Sequence, residues 1–185
     1  MNTLYRGEVA GALCLLAVFA GIAEMFILGI GKSIVGDVIQ LATYLVVCLT
    51  YFVFLLAIQE IVKSQGNIAF TRKMRAFLII MVVACLGMAP STVPILLPAH
   101  VELMLAIATI VLMVPIGIAS IQLARFFEND EIERSEYEKK AGKWLRISGW
   151  LMATVILGLI GGILSFIADV YLWRMIRQKR LHKTT

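Results

Sequence analysis

The stretch VIQLATYLVVCLTYFVFLLAIQEIV, residues 38–62, runs for 25 positions with one formal charge, Glu60, close to its end. A helix of that length measures about 38 Å, enough to cross a hydrocarbon layer of about 30 Å. Helices of soluble domains carry a polar face, and this run has none, so the solvent it fits is lipid.

Four further runs share its character: Val9–Ile30, Ala76–Leu97, Val101–Phe126 and Ile147–Trp173. With them come 61% hydrophobic residues and a mean hydropathy of +0.91, more apolar surface than 185 residues can hide in water. In lipid every backbone N–H and C=O must be paired within its own segment, and the runs lack the two-residue alternation of barrel strands. The expected class is therefore an all-α integral membrane protein, a bundle of five transmembrane helices arranged as two hairpins plus a C-terminal helix. Residues 1–185 form one helical domain, with a charged helical link at 127–146 and a basic tail at 174–185. Val9–Ile30 is longer than the 7–15 residue apolar core of a secretory signal and reads as a membrane helix.

Lysine and arginine near the helix ends set the expected orientation. The connection after the second run carries Lys63, Arg72, Lys73 and Arg75, the one after the fourth carries Arg125 through Arg146, and the one after the third carries none. Both charged connections then face the cytoplasm, as does the N-terminus with Arg6, in a multi-pass protein of a bacterial inner (plasma) membrane. Five crossings, however, leave Arg174, Arg177, Lys179, Arg180 and Lys183 outside, against the same rule. A re-entrant hairpin broken at Gly161–Gly162 would remove the conflict. Against it stand Trp150 and Trp173, about 34 Å apart on one continuous helix and suited to anchoring it at both interfaces. The single crossing is the preferred expectation.

Two other segments break the apolar pattern. ENDEIERSEYEKKAGK, residues 128–143, has its acids first and its bases last, with Asp130/Arg134 and Glu136/Lys140 four apart, and reads as a short solvated helix capped by Asn129. It is a spacer or a docking element. APSTVPILLPAH, residues 89–100, places Pro90, Pro94 and Pro98 at four-residue intervals, which ends or kinks the third helix; Pro98 suits the first turn of the fourth. AIQ at 57–59 recurs as SIQ at 120–122, too short a match to establish a repeat.

Charge inside the runs is rare and draws attention to itself. Glu24 shares a small-residue face with Cys14, Ala17 and Gly21, and a carboxylate near the helix middle costs at least about 2.5 kcal/mol in lipid, so it is expected to point into the bundle. Asp169 closes a stripe with Gly161 and Ser165, beside a Gly158/Gly162 pair of the kind that lets helices approach closely. With Asp37 and Glu102, and with His100 and Lys32 nearby, these acids make an outer-half cluster in the preferred topology; if the helices do not bring them together, each meets interface water, or Asp169 meets Arg174. Glu24, His100, Glu102 and Asp169 are the candidate ion or polar site, and Gly21, Gly158, Gly161, Gly162 and Ser165 the candidate packing residues. Cys14, Cys48 and Cys85 stand singly and read as packing residues.

No metal-binding, nucleotide-binding or nucleophile motif occurs, so neither an enzyme nor a cofactor is expected, and no nucleic-acid module is visible. The expected partners are the bilayer and other membrane subunits or copies of the chain. Two functions remain: a non-catalytic subunit or assembly partner of a larger membrane complex, or a small oligomeric transporter or channel for a cation or proton.

Overall fold

A computed structural model describes residues 3–28, 34–64, 68–88, 98–128, 134–154 and 158–184. They form six helices: α1 (Thr3–Leu28), α2 (Ile34–Ser64), α3 (Ile68–Met88), α4 (Ala99–Phe127), α5 (Glu136–Ala153) and α6 (Gly158–Thr184). The described chain is all helical. Thr3–Ala20 in α1, Val35–Ser64 in α2 and Leu103–Phe127 in α4 are long and apolar enough to cross a membrane.

Each helix packs on the next in chain order and α6 returns to α1, so the six close into a ring. Outward side chains are apolar over much of its length: Leu16, Leu49 and Met104 are 65%, 66% and 70% exposed. In water such a surface would drive aggregation; acyl chains cover it without cost. The densest core, around Phe54, Ile58, Phe127, Leu172 and Ile176, lies toward the end where α2 and α4 finish and α1 begins.

The fifth span corrects the sequence reading. Ile147–Trp173 is not one helix, since α5 ends at Ala153 and α6 starts at Gly158. The two run antiparallel: Lys179 Nζ near the end of α6 lies 2.7 Å from Glu138 Oε1 at the start of α5, and Gly161 lies against Ser148 and Met152. The direction therefore reverses before Gly158, and Gly161 is a packing point instead of the turn the hairpin alternative assumed. A Cβ at Gly161 would sit 2.8 Å from the Met152 nitrogen and 2.9 Å from the Ser148 oxygen, which only glycine avoids. Trp150 and Trp173 stand on different helices, so their spacing along the chain measures no membrane thickness.

With α5 and α6 paired, every lysine and arginine among the described residues lies in one half of the bundle, where α1, α3 and α5 start and α2, α4 and α6 end. The basic tail joins the other cations.

Local signals set the ends of α4 and α5. Pro98 precedes α4 as its N-cap residue, one position earlier than expected, with φ −62° and ψ 145°, and its carbonyl accepts from the Val101 N–H at 2.9 Å. Pro115 sits inside α4, where its missing N–H breaks one rung of the ladder. Ser135, not Asn129, caps α5: its hydroxyl accepts from the Glu138 N–H at 3.3 Å while its own N–H donates to Glu138 Oε2 at 2.8 Å, a reciprocal capping box. Asn129 and Asp130 lie outside the described residues. Arg134 pairs with Glu138 at 3.7 Å, and Lys140 pairs with Glu136 as its spacing implied.

Candidate functional site

α2 turns Tyr44, Cys48, Tyr51 and Leu55 to one side, at steps of four, three and four, and α6 does the same with Ser165, Asp169 and Leu172. These two stripes face each other across the interior. Between them lie two cavities, of about 230 and 250 Å³. The first is bounded by α2 through α6, the second by α1, α2, α3 and α6, so all six helices contribute. Tyr51, Met81 and Asp169 border both. The Tyr51 hydroxyl donates a hydrogen bond to the Asp169 carboxylate, which holds the acid at the junction.

The rest of the lining is mainly apolar, sulfur-bearing or aromatic: Met81, Met113 and Phe77 on one side, Cys14, Phe54 and Phe166 on the other. Among the described residues, no lysine, arginine, histidine or glutamate borders either cavity. The Phe19 ring meets Phe166 edge-on at 5.3 Å and ties α1 to α6 beyond the second cavity. The acid thus stands among mainly apolar side chains, with no lysine, arginine or histidine of the described lining beside it.

Only part of the expected site gathers here. Asp169 lies at its centre, with Ser165 one turn away in the first cavity. It meets Tyr51 rather than Arg174 or an acidic neighbour. Asp37 is buried about 21 Å away along α2, as the rise over the 14 residues to Tyr51 requires. His100, exposed at the start of α4, stands about 20 Å along that helix from the cavity-lining Met113. The surroundings of Gly21 and Gly158, and the side chains of Glu24, Cys85 and Glu102, lie outside what the structure describes. Gly162 faces outward, and a Cβ there would meet nothing within 4 Å.

Sequence reasoning missed Tyr51, Tyr44, Cys14 and Cys48 as site residues. The signal was present: positions 44, 48 and 51 keep helical spacing on the second run and differ from its aliphatic majority. Among the described residues, no group of three His, Cys, Asp or Glu side chains could hold a metal ion.

The basic end is tied by ion pairs. Arg177 and Arg180 of α6 reach Glu8 of α1 at 3.8 and 2.5 Å, and the Trp173 indole N–H donates to the Glu8 carbonyl at 3.0 Å. Glu138, 2% exposed, meets Lys179 and Arg134, while Arg134 donates to the Phe126 carbonyl at 2.9 Å and stacks 4.3 Å over the Phe126 ring. Burial alone would push the Glu138 carboxyl up; hydrogen bonds from Lys179 and from the Ser135 N–H outweigh it and hold the group below the usual carboxylate range. These ties latch α1, α4, α5 and α6 together below the cavities.

Comparison with protein-family profiles, with curated proteins and with solved structures finds no match to this chain. The fold defines a class, an all-helical bundle in which three helices are long and apolar enough to cross a membrane.

Proposed function

We propose that the chain is a small membrane carrier in which Asp169 binds a cation or a proton. The observation behind this reading is the position of Asp169 at the junction of two cavities to which all six helices contribute. An acid in that place costs folding energy that packing does not repay, and alternating occupation by a proton and another cation gives it a use. In this reading α1 to α4 cross the bilayer. In it the α5–α6 hairpin enters from the basic side and returns to it, and the excess of lysine and arginine supports taking that side as the cytoplasmic one of an inner (plasma) membrane. A cysteine at the exposed position 182 is then labelled only from the cytoplasmic face.

The test is flux. Liposomes holding the purified chain and a trapped pH indicator should show cation-dependent proton movement that Asp169→Asn lowers at least tenfold, with α-helical content and elution volume unchanged. Equal flux in the variant, or none in the parent, counts against the carrier.

A second reading, a subunit of a larger membrane complex, draws on Gly162, whose outward and unfilled position on α6 would let a foreign helix approach. Recovery of the chain from mild detergent as one homogeneous species, with no companion in its mass spectrum, would remove that support.

A further inference from the structure

Resting on the carrier reading, we infer the class of cation that the paired cavities accept: a small organic monocation carrying about one aromatic ring, bound with its charge at Asp169 and its apolar body in one of the two chambers. Size is the first argument. An apolar cavity of about 150 Å³ holds benzene, and the two chambers, at about 230 and 250 Å³, each exceed that.

Chemistry is the second. Hard divalent cations such as calcium and magnesium take about six or more oxygen ligands, whereas the described lining of the first cavity offers side-chain oxygens only from Asp169, Tyr51, Ser120 and Ser165, and the Ser120 hydroxyl is already donated to the Ile116 carbonyl. A quaternary ammonium carries its charge inside a shell of carbon and so gives up far less hydration on entry than an inorganic cation or an NH3+ group. Its charge is met by Asp169, with the Tyr51 ring and Met81 at the junction, and its body by Phe77 and Met113 in the first chamber or by Phe54 and Phe166 in the second. Neither chamber is closed on all sides, so such a molecule has a way in.

Charge balance then links the ligand to pH. When the cation arrives at a protonated Asp169, the carboxyl O–H bond breaks, the proton leaves to solvent and the carboxylate pairs with the ammonium; the reverse step restores the acid. The other titratable groups at the described lining are Tyr44, Tyr51 and Cys48 on α2 and Cys14 on α1, all neutral around pH 7, and α3, α4 and α5 add none. One carboxylate therefore serves both cations in turn.

The experiment measures binding of radiolabelled benzyltrimethylammonium, whose charge does not titrate, to the full chain in lipid nanodiscs. The expected result is saturable binding at one site per chain, weakening toward tenfold per pH unit in acid, reduced at least tenfold by Asp169→Asn and a few-fold by Tyr51→Phe. Neopentylbenzene, the neutral carbon isostere, should not compete. Absence of saturable binding to the folded parent, equal binding by a folded Asp169→Asn, or competition by the isostere would each overturn the assignment. Asp169-dependent proton flux without binding would remove the ligand class and leave the carrier standing, whereas loss of both removes the two together.

Discussion

Gly149→Leu should lose the α4–α5 contact and with it the folded protein: the variant is expected to melt roughly 6–12 °C below the parent in detergent, or to emerge only as aggregate. α4 and α5 approach through a glycine pair. A Cβ at Gly149 would lie 2.6 Å from the Gly117 carbonyl oxygen and 3.0 Å from the Ile121 nitrogen, and one at Gly117 would lie 2.6 Å from the Gly149 oxygen and 2.8 Å from the Ala153 nitrogen. These obstacles are backbone, so no rotamer change relieves them and the helices must separate. Overpacking of this kind costs typically 1–3 kcal/mol, and leucine against two helix backbones belongs at the upper end. Each kcal/mol moves the midpoint of a chain this size by about 2–4 °C. Gly162→Ala is the matched control. It adds a methyl group into open space and gains up to about 1 kcal/mol of helix propensity, so its midpoint should hold or rise. A Gly149→Leu variant as stable as Gly162→Ala would show that α4 and α5 do not meet at these glycines.

That pair was not legible in the sequence, for a physical reason. A glycine marks a close approach only once the opposing helix is known, and nothing in the chain around Gly117 or Gly149 says that each will lie over the other. The α5–α6 hairpin was hidden differently. Val155, Ile156 and Leu157 are as apolar as the residues of α5 and α6 around them, so hydropathy continues from one helix into the next without a break. The charge of the basic tail is compatible with two helices in this stretch, whereas Trp150 and Trp173, which suggest one, belong to separate helices. The all-helical class and the apolar spans of α1, α2 and α4 could be read directly, because their apolar runs are long enough to be seen in the sequence alone. Asp169 could be read too, as a lone charge in an apolar run. Its companions could not, since Tyr51 and the cysteines become a site only when α2, α1 and α6 are brought together.

At the basic end the same logic predicts a large and pH-dependent loss for Glu138→Gln. Glu138 receives Lys179 and Arg134 while its carboxylate also closes the α5 cap through the Ser135 N–H. Glutamine can keep the cap. It cannot neutralise two cations in a place where the carboxylate is 2% exposed, and removing one partner of a buried ion pair typically costs about 3–5 kcal/mol. Glu136→Gln, two residues away, removes an exposed pair with Lys140 and should change nothing measurable, although Lys140 holds that carboxyl low as well. The sign with pH follows from the direction of the Glu138 shift. A folded-state value below the unfolded one, about 4.3, means that the stabilisation is complete above that unfolded value and drains away as pH falls through the folded value. The gap between parent and Glu138→Gln midpoints should therefore be widest near neutrality and close progressively below about pH 4.5. Thermal scans of both proteins across pH 3–8 measure that gap. A constant separation over the range would mean that Glu138 supports α5 through shape alone, and that the latch joining α5 to α6 owes nothing to its charge.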